Sequence, residues 1–85
     1  MIAKRGGSSW QRFINELTNI YGFKETLLVK DWDMCFQWHE EGTNFYVELI
    51  FVGSVYIVRE QRGEDVVFSY YYYPDALLEH LDMIM

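Results

Sequence analysis

The sequence contains a single cysteine, Cys35, and a single proline, Pro74. One cysteine forms no internal disulfide, which indicates a reducing compartment and predicts a cytoplasmic protein. The uninterrupted apolar runs, such as residues 49–52, are far shorter than the roughly 20 residues that a membrane-spanning helix needs. The two basic residues near the N-terminus are followed by no apolar segment, so we expect residues 1–8 to form a flexible lead and not a secretory signal.

Basic residues are also few. Lysine and arginine number 7 against 13 aspartates and glutamates, and the formal net charge is −6. Binding to nucleic acid or to anionic membranes depends on Lys and Arg, so we expect no direct nucleic-acid partner and no membrane partner. An acid excess of this size favours a basic protein partner, although solubility alone also explains it.

Residues that carry catalysis or bind metals are scarce. His39 and His80 are the only histidines, and Cys35 lies about 13 Å from His39 if both belong to one strand. That spacing excludes a nucleophile and base pair, and no further ligands converge to hold a metal. The sequence has no glycine-rich phosphate loop, and Asp31 and Asp33 are expected to be solvated at a sheet edge. We predict no enzyme, no cofactor and no metal; the rival is a ligand or enzyme pocket near one of the histidines.

Apolar and aromatic residues are abundant, at 51% and 19% of the sequence. Apolar residues at positions 10, 13, 14, 17, 20 and 21 predict an amphipathic helix from Trp10 to Tyr21. Ser9 is its predicted N-cap, and Gly22 is the predicted left-handed residue after its last turn. Pro74 predicts the first turn of a second helix near the C-terminus.

Between the helices, alternating apolar and polar residues predict four antiparallel strands. The first runs from Trp32 to His39 and the second from Asn44 to Val52, with residues 40–43 as the loop. This register pairs large apolar residues on one face: Trp38 with Phe45, Phe36 with Val47, Met34 with Leu49, and Trp32 with Phe51. Residues 26–29 give a weaker strand pattern that is out of phase, and a bulge near residues 30–31 would reconcile the two.

Glycine as the first residue of Gly53-Ser54 and of Gly63-Glu64 predicts two further hairpin turns. The resulting registers bring opposite charges together, Glu48 with Arg59 and Arg62 with Asp65, and the fourth strand runs from Val66 to Tyr73. We therefore predict one α+β domain over residues 1–85. Its architecture is a four-stranded antiparallel meander with an N-terminal and a C-terminal helix, α-β-β-β-β-α, in two layers.

The same registers place an unusual set of residues on the sheet face opposite the predicted core. A contiguous apolar and aromatic area there predicts an interaction surface. Its apolar members are Ile50, Val52, Val55, Ile57, Phe68, Tyr70 and Tyr72. The alternative for this face is a C-terminal helix that crosses over to cover it, in a three-layer sandwich.

The apolar and aromatic sheet face and the negative net charge together lead to an expected function. We expect a small acidic protein-binding inhibitor, of the kind that immunity proteins and phage anti-defence proteins represent, which blocks a basic or nucleic-acid-binding partner. The predicted contacts are Asp31, Asp33, Tyr46, Glu48, Phe68, Tyr70 and Tyr72. The rival is a homodimeric structural or regulatory module that buries the apolar residues of the same face between two subunits.

Overall fold

The computed structural model describes residues 8–26 and 33–85. Within these residues the class is the predicted α+β, with two α-helices, a π-helical turn and five strands. In chain order the elements are α1 Ser8–Asn15, the π-turn Glu16–Ile20, β1 Lys24–Glu25, β2 Met34–His39, β3 Phe45–Val52, β4 Val55–Arg62, β5 Asp65–Tyr71 and α2 Pro74–Ile84. Most of the predicted lead, Trp32 and the predicted bulge at residues 30–31 lie outside the described residues.

In the part of the chain that the structure describes, the sheet has five strands in the order β1-β2-β3-β4-β5, one more than predicted, and every neighbouring pair is antiparallel. The additional strand, β1, consists of Lys24 and Glu25 alone and pairs with Gln37 and Phe36 of β2. Two exposed charged residues give no alternation of apolar and polar positions. The pattern of the sequence therefore could not reveal this short edge strand.

The register between β2 and β3 differs from the predicted one by two residues. Trp38 lies opposite Val47 and Met34 opposite Phe51. A shift of two leaves every side chain on its predicted face, so the apolar pattern does not distinguish the two registers. The turn decides between them, because Glu40 N donates to Phe45 O over 3.0 Å and closes a loop over residues 41–44, one position later than the predicted loop.

The two later hairpins have their predicted registers. Glu48 lies opposite Arg59, and Arg62 opposite Asp65. Both turn glycines have the positive φ that the first position of such turns requires, 57° at Gly53 and 62° at residue 63. The last strand ends at Tyr71, two residues before the predicted end at Tyr73. The carbonyl of Tyr73 accepts from the backbone N–H of Leu77, so Tyr73 is already the N-cap of the first turn of α2.

The first helix begins at Ser8, so the predicted N-cap Ser9 lies within it and that prediction is wrong. The predicted α-helix also changes to a π-helical turn after Asn15. Gly22 has a φ of 80°, as predicted for the residue that ends the helix. Within residues 8–26 and 33–85, no helix combines the length and apolar character that crossing a bilayer requires.

Both helices pack on the same face of the sheet. Trp10 of α1 lies 5.9 Å from Phe51 between ring centroids, and Phe51 lies 4.9 Å from Tyr56 in an edge-to-face contact. Leu77 and Leu81 of α2 are completely buried in the same cluster, and Leu78 packs against it. One core therefore lies between the helices and one side of the sheet, and the other side carries the candidate site.

Candidate protein-binding face

The second face of the sheet is the side that faces away from both helices. Side chains alternate along a strand, so each strand contributes every other residue to it. Its central members, strand by strand from β2 to β5, are Cys35, Gln37 and His39; Tyr46, Glu48, Ile50 and Val52; Val55, Ile57, Arg59 and Gln61; and Val66, Phe68 and Tyr70.

Three of the predicted contact residues have widely exposed aromatic rings. The exposed fraction is 50% for Phe68, 58% for Tyr70 and 57% for Tyr72. The first two project from β5, which forms one edge of the sheet, and Tyr72 follows the end of that strand. The alternative in which α2 crosses over to cover these rings is wrong, because α2 packs in the core on the opposite side.

Tyr46 lies on a central strand and is 46% exposed. Its ring stacks on the ring of His39 with a centroid distance of 4.2 Å and an angle of 13° between the planes. His39 Nε2 in turn donates to Thr43 O over 2.7 Å, since a carbonyl oxygen can only accept. These contacts pack the tyrosine ring against His39 on the second face.

Glu48 is only half-buried, but its carboxylate is already engaged. Oε2 accepts from Gln37 Nε2 over 3.1 Å and from Cys35 Sγ over 3.5 Å. It lies in an open groove of about 750 Å³ whose wall and floor include Lys24 and Arg59. Glu48 therefore contributes to the shape and charge balance of this groove more than to a free acidic surface.

Asp33 holds a turn in place. Its backbone N–H donates to Phe51 O, and its Oδ2 accepts from the backbone N–H of Gly53, each over 2.8 Å. The Asp33 side chain is exposed. Its Oδ2 nevertheless stabilises the turn between β3 and β4, beside the second face. Asp31, the other predicted acidic contact, lies outside the described residues.

The acidic character of the described chain is not concentrated on the second face. There, Glu48 and the nearby Asp33 are balanced by Lys24 and Arg59. Clusters of exposed carboxylates lie elsewhere: Glu40 and Glu41 after β2, Glu64 and Asp65 where β5 begins, and Asp75, Glu79 and Asp82 along α2. The predicted acidic face is thus an aromatic face with acidic residues around it.

The apolar part of the second face is more enclosed than predicted. Cys35 is 2% exposed and Ile50 is 6% exposed, while Val52, Val55 and Ile57 are half-buried. Burial raises the pKa of the Cys35 thiol, so the thiol is protonated and unreactive at neutral pH. The accessible apolar surface is therefore concentrated at the β5 edge.

Two further exposed residues on β5 were not among the predicted contacts. Val66 is 40% exposed on the second face, and Val67 is 57% exposed on the helix side. The consecutive pair Val66-Val67 places an apolar residue on each face of β5, but such a run is typical of a strand buried on both faces, so the sequence does not indicate that the two side chains are exposed. In the structure, this strand is accessible from both sides as well as along its edge.

The sequence assigns a possible pocket to either histidine. His39 lines the groove that contains Glu48, whereas His80 is held within the fold by its neighbours. His80 lies between Tyr71, at 2.5 Å from Oη to Nδ1, and Glu60, at 2.7 Å from Oε2 to Nε2. None of the three lines the groove that contains Glu48. Within the described ranges, no three His, Cys, Asp or Glu side chains converge to hold a metal ion.

Comparison of the chain with protein-family models, with curated proteins and with solved structures finds no match in any of the three.

Proposed function

We propose that this protein is a small protein-binding inhibitor, of the immunity-protein or phage anti-defence type, that docks its second face on a basic protein partner. One observation carries the proposal. The rings of Phe68, Tyr70 and Tyr72 are between 50% and 58% exposed side by side at a sheet edge, and the helices lie on the other side of the sheet. Solvent-exposed aromatic clusters of this kind commonly mark interaction surfaces.

Tyrosine suits such a surface for a physical reason. Its ring offers a large contact area at a small entropic cost, and its hydroxyl keeps a hydrogen-bond partner in water or in the complex. We expect Tyr70 and Tyr72 to be the anchors, since anchor residues in interfaces are enriched in Tyr and Trp and cost about 2 kcal/mol or more when truncated. Tyr46, held by its stack on His39, extends the aromatic area toward the centre of the sheet.

The negative net charge of the chain favours a basic protein as the partner. The net charge of −6, with Glu64 and Asp65 exposed where β5 begins, attracts a partner with a basic surface such as a nucleic-acid-binding protein. Attraction between exposed charges is screened by salt, so the association rate should fall as ionic strength rises. The proposed setting is the cytoplasm, and the proposed role needs no cofactor, no membrane and no direct contact with nucleic acid.

A homodimer that buries the second face is the less favoured candidate. Such a dimer would gain most from the apolar residues of the central strands, but Ile50 is already only 6% exposed within one subunit. The half-buried Val52, Val55 and Ile57 also have less surface to lose. The accessible rings are at one edge of the sheet, where a partner can reach them without covering the entire face.

The test compares two variants that remove equally exposed tyrosines. Tyr70→Ala combined with Tyr72→Ala removes the proposed anchors, whereas Tyr73→Ala removes a ring that is 55% exposed and lies beside α1 on the helix side. Proteins captured from the source cell by the wild-type chain are identified, purified and titrated calorimetrically with all three chains. We expect the double variant to bind at least about 30-fold more weakly and to lose inhibition of the partner's activity, while Tyr73→Ala binds like wild type. Equal affinity of the wild-type chain and the double variant would refute the proposal.

A further inference from the structure

The two edges of the sheet are built differently. One edge, β1, is two residues long, and both Lys24 and Glu25 are exposed and charged. The other edge, β5, is seven residues long and has no charge and no proline from Val66 to Tyr71. Short strands, edge charges and prolines are the means by which proteins prevent strands from pairing edge to edge. The first edge has two of these protections, and most of the second has none.

The backbone groups that β5 leaves available follow from its pairing with β4. The turn at Gly63-Glu64 makes Arg62 and Asp65 the first cross-strand pair, and such closing pairs exchange both hydrogen bonds. Hydrogen-bonded pairs then alternate along an antiparallel ladder. The N–H and C=O groups that point away from β4 therefore belong to Val66, Phe68 and Tyr70, and no described strand pairs with that edge.

We propose that β5 pairs antiparallel with β5 of a second copy of this chain, with Phe68 opposite Phe68. This two-fold register matches the available backbone groups, because the groups of Val66 then meet those of Tyr70 in the second copy and six hydrogen bonds form. Both aromatic rings of each copy remain on the same side of the extended sheet. The result is a continuous sheet in which the two second faces join at the symmetry axis.

Side-chain pairing favours a second copy as the occupant. In this register Asp65 lies opposite Tyr71, so no like charges are opposed within the strand. The cross-strand pairs are Phe68 with Phe68, Val66 with Tyr70, and Val67 with Ser69, and the first two bring apolar or aromatic side chains together. These residues are 40% to 58% exposed in the single chain, apart from the half-buried Ser69. Pairing would cover apolar surface that a monomer leaves in water.

The size of the interface predicts a weak dimer. A half-exposed aromatic side chain has roughly 100 Å² to bury, so the paired strands cover about 800 to 1,000 Å² in total, below the roughly 1,600 Å² of a standard interface. Two copies that each carry a net charge of −6 also repel one another. We therefore expect a dissociation constant of about 100 µM that decreases as salt is added. This salt dependence is opposite to that of the proposed basic partner, and dimerisation stands independently of that proposal.

In the proposed dimer, Phe68 of one copy lies opposite Phe68 of the other at the two-fold axis, and the experiment uses this symmetry. Phe68→Glu and Phe68→Lys each place like charges opposite one another, and their equimolar mixture places Glu opposite Lys. By sedimentation equilibrium from 10 µM to 1 mM, we expect either variant alone to dimerise about tenfold more weakly than wild type, and the mixture to regain that loss. Tyr46→Glu and Tyr46→Lys are the matched controls, since Tyr46 is 46% exposed on the same face but lies on a central strand. These controls should leave dimerisation unchanged.

Amide hydrogen exchange distinguishes edge pairing from packing of the two faces. In edge pairing, the amides of Val66, Phe68 and Tyr70 become protected as protein concentration rises, whereas face packing leaves these edge groups without new hydrogen bonds. Circular dichroism of each variant establishes that it is folded. A monomer at 1 mM in 0.5 M salt, a mixture no tighter than its separate components, or a dimer without protection of these three amides would each overturn the proposal. If these three amides became protected only when a different protein is added, the β5 edge would bind that protein and the dimer proposal would be wrong.

Discussion

Glu60 Oε2 lies 2.7 Å from His80 Nε2, and this contact joins the strand β4 to the helix α2. The exposed fraction of the two side chains is only 13% and 15%, respectively. Because the carboxylate accepts, Nε2 carries a proton, and in the neutral imidazole Nδ1 accepts from the Tyr71 hydroxyl. The histidine thus satisfies both of its ring nitrogens and attaches the helix to two adjacent strands.

Removal of the histidine should destabilise the fold. His80→Phe keeps a ring of similar size but leaves the half-buried carboxylate and phenol without their partner, so we expect a loss of about 1 to 3 kcal/mol in the free energy of unfolding. Urea denaturation monitored by tryptophan fluorescence measures it. Glu79→Gln changes the neighbouring exposed residue of the same helix and should shift the free energy of unfolding by less than about 0.5 kcal/mol. Equal effects of the two substitutions would show that the histidine contacts contribute no stability.

The Tyr21 side chain predicts a specific dependence of stability on alkaline pH. Burial, the hydrogen bond that its hydroxyl donates to Asp82, and the charges of Asp82 and Glu16 raise the pKa of Tyr21 to about 12. The folded state therefore holds the phenol proton more tightly than the unfolded chain, whose tyrosine pKa is about 10. This stabilisation is complete below pH 10 and is lost as the pH rises from about 10 to 12.

Tyr21→Phe removes the titrating group, so its free energy of unfolding should fall less steeply than that of wild type above pH 10. Urea denaturation at pH 9, 10 and 11 gives the two slopes. Tyr70→Phe serves as the control because that ring is 58% exposed, and its slope should follow wild type. Parallel curves for Tyr21→Phe and wild type would contradict the proposed role of the Tyr21 hydroxyl.

Cys35 should be chemically protected in the folded protein. Its side chain is 2% exposed, burial raises its pKa, and the thiolate is the form that reacts. We expect a thiol reagent at pH 8 to modify native Cys35 at least about 100-fold more slowly than the urea-unfolded chain. In Cys35→Ser combined with Ser54→Cys, the cysteine occupies an exposed turn and should react at the rate of a free thiol. Rapid modification of native Cys35 would show that the second face opens at that point.

The two sides of the sheet should respond differently to truncation. Phe36 is completely buried, and Phe36→Ala should reduce the free energy of unfolding by about 3 to 5 kcal/mol. Tyr70→Ala combined with Tyr72→Ala removes rings that are more than half exposed, so we expect a loss below about 1 kcal/mol. Thermal and urea denaturation measure both. A comparable loss from both changes would show that the exposed rings support the fold.

Much of the fold could be predicted because its main signals are local. Glycine in the first turn position places Glu48 opposite Arg59 and Arg62 opposite Asp65, and the apolar spacing from Trp10 onward predicts the helix. The π-turn and the two-residue strand β1 could not be predicted, because neither changes the apolar pattern. The register of β2 against β3 is ambiguous for the same reason.

The candidate site was less predictable than the fold. Parity along β5 correctly assigns Phe68 and Tyr70 to the face away from the helices. The engagement of Glu48 by Gln37 and the near-complete burial of Ile50 depend on contacts between residues distant in the sequence. Periodicity indicates which face a side chain belongs to, but how much of that side chain remains accessible is decided by the packing of the whole chain.

The hairpin between β2 and β3 constrains how this sequence can diverge. Because faces alternate with a period of two, a loop that gains or loses two residues can keep the core side chains inside, whereas a single insertion or deletion without a compensating bulge would exchange the inner and outer faces. Gly42, at the tip of this loop, has a φ of 79° and open space around it, so the loop itself has room for added residues. We expect natural variation in the length of this loop to occur in steps of two.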